Sequence, residues 1–207
     1  SGLEADTLYS YRYYATNAFG EHWAAETSSF RTARAQLIPA KYSRRMKIRF
    51  DGYTRDETLT NFPLLVTLHE GLENFRYSDF ASAQGGDLRF TGADGVTELP
   101  YEIDRWFPSG TSHVWVQVPT LSSGQCIYAY WGRPGATMPS VYTTNGLTWS
   151  EHFLAVLHLN TNAAGAFLDS TVFGMTGTNS GTFDDAGLIG RCRDLNDDFS
   201  HHLRCGT

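Results

Sequence analysis

The chain has 207 residues and a formal net charge of −6, with 18% charged residues set against 20 glycines and 14% aromatics. That length suffices for one large domain or two small ones with a buried core, and the acidic balance argues against a nucleic-acid backbone as the main partner. No basic run suggests an anionic membrane surface, and no apolar run approaches the length of a membrane span.

Residues 3–32 carry a hairpin signature. Tyr9, Tyr11, Tyr13 and Ala15 alternate with Ser10, Arg12, Tyr14 and Thr16. The turn Asn17-Ala18-Phe19-Gly20 comes next, and a return strand is expected over about 21–32. Two strands cannot bury an aromatic face alone, so this piece either belongs to a larger β domain or docks onto the central unit of the chain. Residues 33–42, with Pro39, read as a linker. No signal-like segment opens the sequence, so a targeting signal, if there is one, lies outside these residues.

A central β unit comes next. Met46, Ile48 and Phe50 point one way and Arg45, Lys47 and Arg49 the other, and residues 59–68 supply a more buried strand. Residues 70–84 form a longer excursion with room for a short helix, and Asp94-Gly95 makes a hairpin turn between Phe90 and Leu99. Leu99, Tyr101 and Ile103 share one side, as do Val114, Val116 and Val118. After Pro139 a different unit starts, with residues 149–159 read as a strand. The fold class expected is all-β: an antiparallel β-sandwich module flanked by partial β domains.

The three cysteines, Cys126, Cys192 and Cys205, have no Cys-x-x-Cys spacing, so zinc and dithiol redox chemistry are not expected. Cys126 reads as a buried thiol, and a Cys192–Cys205 disulfide is a possibility in an oxidising compartment. His201-His202 beside Asp197 and Asp198 invites a metal reading, but a polar loop explains it better and no metal ligand is assigned. The run 194–198 lacks the Gly and closing Glu of an EF-hand.

The candidate ligand face is a matter of geometry. If 99–106 and 112–118 pair antiparallel with their apolar residues on one face, the short loop around Pro108-Ser109-Gly110 sets Asp104 opposite Trp115, Glu102 opposite Gln117 and Trp106 opposite His113. The side away from the core then shows Trp106, Trp115, Glu102, Asp104, Gln117 and His113. Two flat rings beside hydrogen-bonding groups suit a sugar. The competing reading is that the two Trp rings cover the back of this sheet or seat a neighbouring domain.

Several resemblances add to this. Residues 1–34, through Leu3 to Tyr9, Ala15-Thr16-Asn17 and Phe30-Arg31-Thr32, resemble the last two strands of a fibronectin type III domain, with Tyr9 as the tyrosine corner. Residues 42–142 resemble a family known as a domain of unknown function (number twenty-three forty-one). The matching pieces include Arg44-Arg45-Met46-Lys47-Ile48, Asp87-Leu88-Arg89-Phe90-Thr91, Leu99-Pro100-Tyr101-Glu102-Ile103 and Tyr128-Ala129-Tyr130-Trp131-Gly132. That resemblance implies a β-sandwich module of large bacterial or archaeal surface or secreted proteins, some beside biopolymer-transport components, with no established activity to carry over. Residues 148–207 resemble the opening of a laminin-G or concanavalin-like jelly roll, with Leu195-Asn196-Asp197 departing from that pattern. A Ca²⁺ site of the concanavalin kind stays open but without support from the residues, and no cofactor is expected.

Glu102-Ile103-Asp104 resembles the start of the Glu-Ile-Asp-x-x-Glu signature of jelly-roll β-glucanases. A retaining glycosidase needs two carboxyl groups roughly 5–5.5 Å apart. The second glutamate would fall four or five residues after Glu102, where Trp106 and Phe107 stand. The chain is therefore expected to be non-catalytic: an extracellular or cell-surface module for adhesion or carbohydrate binding, its partner a polysaccharide or another surface protein. The alternatives are an accessory module of a secreted carbohydrate-active enzyme and a purely structural spacer.

Overall fold

Alternation at period two dominates the sequence, and the computed structural model is built from strands and three-residue 3-10 turns. It describes residues 2–5, 7–136, 143–150, 152–159, 166–195 and 201–205. The first unit is a hairpin interrupted once. β1 (Leu8–Tyr11) pairs with β4 (Ser28–Arg31), and β2 (Tyr14–Asn17) pairs with β3 (Gly20–Trp23) around the expected turn. Tyr9 stacks on Phe30 at 5.9 Å, and its hydroxyl accepts a hydrogen bond from the Glu4 N–H at 2.9 Å. Tyr13, Phe19 and Trp23 stay exposed, so the hairpin gains little from burial.

The linker is not free. Leu37 is buried, its N–H donates to the Val96 carbonyl, and the Glu98 N–H donates to the Ala35 carbonyl. Residues 35–37 thus run beside the return arm of the Asp94-Gly95 turn. In that turn Asp94 accepts from the N–H groups of Val96 and Thr97, and Gly95 takes the positive φ of 76° that disfavours a side chain.

The sandwich consists of two three-stranded antiparallel sheets. One is ordered β5 (Arg44–Arg49), β10 (Cys126–Trp131), β7 (Arg89–Thr91). The other is ordered β6 (Leu59–Leu68), β9 (Ser112–Leu121), β8 (Tyr101–Arg105). Their facing sides meet in one core containing Phe90, Tyr101, Val114, Val116, Ile127 and Trp131, with Met46 and Ile48 packed at its margin. The inward sets expected over 46–50, 99–103 and 114–118 all lie in or against this core. Cys126 differs from expectation: it is half-buried, on the side opposite Ile127 and Ala129. The excursion over 70–84 contributes one 3-10 turn, Tyr77–Asp79, and lays Phe75, Tyr77 and Phe80 against Trp131 and Trp106.

One buried carboxylate ties the sandwich together. Asp87 is fully buried and accepts from the N–H groups of Ala81 (3.0 Å), Ser82 (3.0 Å), Gly132 (2.7 Å) and Arg133 (3.3 Å). Those donors come from the 70–84 excursion and from the end of β10. A charged acceptor satisfied by several backbone donors is the condition under which a buried carboxylate is tolerated.

Beyond the sandwich, the described residues of 149–159 do not form the expected strand. Leu147–Trp149 is a 3-10 turn, and His152 and Leu159 take left-handed φ values of 64° and 60°. Such residues break a ladder. The Val156 N–H donates to the Asp169 carboxylate, and the Ser170 N–H donates to the Val156 carbonyl. The remaining strands form a sheet of β11 (Ala166–Phe167), β12 (Gly177–Ser180) and β15 (His202–Cys205), and a hairpin of β13 (Phe183–Ala186) with β14 (Arg191–Asp194). Cys192 and Cys205 lie in different sheets, and both are free thiols rather than a disulfide.

Candidate functional site

β8 and β9 do pair antiparallel with their apolar residues sharing the core face, but two residues out of the expected register. Glu102 lies opposite Trp115 and Tyr101 opposite Val116. Past Ile103, which pairs with Val114, the ladder slips by one residue, so that Arg105 pairs with His113 and Asp104 is an extra residue. A β-bulge of this kind leaves one residue unpaired and resets the alternation beyond it. Asp104 therefore stays on the outer face, and Trp106 turns inward.

Trp106 is consequently absent from the face expected for it. Its ring lies against Tyr77 and Phe80 at 5.3 and 5.0 Å, and its indole N–H donates to the Ala83 carbonyl at 2.9 Å. A Cβ added at Gly85 would meet that ring at 2.8 Å, so the Trp packs onto bare backbone. His113 remains on the outer face, with its Nδ1 buried and lacking a hydrogen-bond partner among the described residues.

The other four expected residues, Trp115, Glu102, Asp104 and Gln117, come together, joined by groups that sequence reasoning missed. Trp115 meets the rings of Trp149 at 5.4 Å and His158 at 6.3 Å, and its N–H donates to Asp104 at 3.3 Å. Glu102 accepts from the Ser170 hydroxyl at 2.6 Å and from the indole N–H of Trp149. His158 lies between the two carboxylates, with Nε2 at 3.5 Å from Glu102 and Nδ1 at 3.7 Å from Asp104. Gln117 is buried and bracketed: Arg34 donates to its oxygen at 3.2 Å, and its amide donates to Ser150 at 2.9 Å. A cavity of about 190 Å³ remains beside Glu102, Asp104, His158, Ser170 and Leu168. Trp149 and His158 lie in the stretch that reads as a strand, and that stretch covers the sheet face without forming one.

Electrostatics match this arrangement. Burial opposes the charge on Glu102, but His158, Ser170 and Trp149 outweigh it and hold the carboxyl below its ordinary value of 4.5. Burial likewise opposes the imidazolium of His158, yet Glu102 and Asp104 raise it above its ordinary 6.5. The lowered Glu102 contributes stability that is present above about pH 4.5 and lost on acidification. The raised His158 contributes stability that is full below about pH 6.5 and lost as pH rises through its folded value. Urea unfolding should therefore show this contact at its strongest between those limits, and weaker as pH rises through the folded value of His158. His158→Asn should flatten the alkaline limb; an unchanged limb would show that another group causes it.

Among the described residues no group of three or more His, Cys, Asp and Glu is placed to hold a metal, and His201 and His202 have no such company. Asp197 and Asp198, the other half of that reading, lie outside the described residues.

Fold and site together define an all-β protein, in which a central antiparallel sandwich has one sheet face covered by the next segment of the chain. Residues 84–153 match the model of a family described as Domain of unknown function (DUF2341), a stretch that begins later and ends later than the sequence resemblance over 42–142. No curated protein and no solved structure matches the chain. Among the described residues no helix is long and apolar enough to cross a membrane.

Proposed function

We propose that this chain is a non-catalytic part of a large extracellular or cell-surface protein, and that its sandwich serves as a rigid joint between β units. The observation that carries this is the occupied outer face of β8 and β9. Trp149, Ser150, His158 and Ser170 from the C-terminal side, and Arg34 from the N-terminal side, all bond or pack there. A face built from matched donors, acceptors and rings on both sides fixes the orientation of its neighbours. Adhesion then belongs to the larger assembly that the joint holds in line. The tyrosine-corner bond from Glu4 to Tyr9 supports a fibronectin-like unit ahead of the joint.

Two observations weigh against other roles for this face. Trp106 and Trp115 are each half-buried against other parts of the chain, so they form no shared platform for a sugar ring. Glu102 accepts from two side-chain donors of the covering segment and faces His158, so its carboxylate is engaged within the chain.

Trp115→Ala in the full chain separates joint from glycan platform. The expected result is a loss of about 2 kcal/mol in chemical unfolding, from lost ring packing, and no retardation of either protein in polysaccharide affinity gels. Retardation of the unmodified chain that Trp115→Ala abolishes, with the unfolding midpoint unmoved, would replace the joint by carbohydrate binding.

A further inference from the structure

On the side of the sandwich away from the joint, both sheets end. β5 and β6 are edge strands, and between them opens a groove of about 530 Å³. Met46, Ile48 and Phe50 line it from β5 and its end, and Leu64, Val66 and Leu72 from the β6 side. Beyond its ladder to β10, β5 makes no described hydrogen bond through its outward backbone groups. Six residues of strand are thus open to pairing over about 20 Å.

The opposite face of β5 has a distinct charge. Arg45, Lys47 and Arg49 are exposed, with Arg45 and Lys47 over the ring of Tyr128 at 5.0 and 5.8 Å. Among the described residues no carboxylate is in ion-pair range of these three, although the chain as a whole carries −6. Arg44 is different, being paired with Asp79 at 2.9 Å.

We propose that β5 accepts an added strand from a partner protein, and that this strand alternates apolar with acidic residues. A strand laid along β5 sends every second side chain into the groove above Met46 and Ile48, where apolar residues close the open core. The intervening side chains stand beside Arg45, Lys47 and Arg49, where cross-strand Asp or Glu is favoured. The same charges reject a second copy of β5, since pairing it with itself would set cation against cation. A cationic edge blocks self-association and admits an acidic strand.

The test uses the full chain and a fluorescent peptide, acetylated Glu-Val-Glu-Val-Glu-Val-Glu, with a lysine-for-glutamate version and a version carrying proline at its centre. Anisotropy should report saturable binding of the acidic peptide, and amide exchange should slow over residues 44–49. The lysine and proline peptides should bind at least about tenfold more weakly, because one lacks the charge match and the other cannot complete the ladder. The variant Arg45→Glu/Lys47→Glu/Arg49→Glu, checked by its unfolding midpoint, should reverse the charge preference. No binding of the acidic peptide overturns the proposal. So does equal binding of the proline peptide, which would mean ion exchange without strand addition, and so does unchanged exchange over 44–49.

Discussion

Asp87→Ala should destabilise the sandwich by about 4 kcal/mol in urea unfolding. Four N–H groups converge on that carboxylate, and they divide by environment. Ala81 is exposed and Arg133 half-exposed, so water can replace their partner at small cost. Ser82 and Gly132 are buried, and each would lose its acceptor where water does not reach, at about 2 kcal/mol apiece. Asp87→Asn retains one carbonyl oxygen but turns an NH₂ group toward other donors, so it should fall between wild type and Ala. A loss below about 1 kcal/mol for Asp87→Ala would show that the excursion over 70–84 is held by its aromatic packing alone.

Trp149→Ala should have an effect of similar size, about 3 kcal/mol, but confined to one part of the chain. The ring is 5% exposed and meets Trp115, Phe153 and His158, and its N–H is one of the side-chain donors that hold Glu102. Removing it takes away packing and leaves a buried carboxylate with one donor fewer. Amide exchange over residues 166–195 should accelerate, while β9 and β10 keep their protection, because their core lies on the other side of the sheet. Equal acceleration in β9 and β10 would mean that joint and sandwich unfold as one unit, contrary to this expectation.

Much of the sandwich was legible because a face buried on one side writes itself as strict alternation. Residues 46–50, 99–103 and 114–118 show this, and the Asp94-Gly95 turn marks where the chain reverses. The errors have separate causes. Loop length around Pro108-Ser109-Gly110 leaves the β8–β9 register two residues out, since any slip by two preserves alternation. The bulge at Asp104 has no glycine to announce it, so alternation alone assigns Trp106 to the wrong face. Residues 149–159 read as a strand because they are rich in apolar residues, and an apolar run does not distinguish a strand from a segment that covers a sheet. Asp87 was invisible for a different reason: its partners are backbone groups, those of Gly132 and Arg133 being 45 and 46 residues further on, and no residue pattern encodes them.

The bulge also makes chain length a variable at one point of β8. Arg105 already stands opposite His113, so excising Asp104 would let Arg105 follow Ile103 in an uninterrupted ladder. Trp106 would keep its inward phase, and the core would not register the loss. The charge facing His158 would change, from two carboxylates to one. A one-residue gap at this position would thus retune the joint and leave the inward phase of the strand as it is, at the expense of the acceptor of the Trp115 N–H.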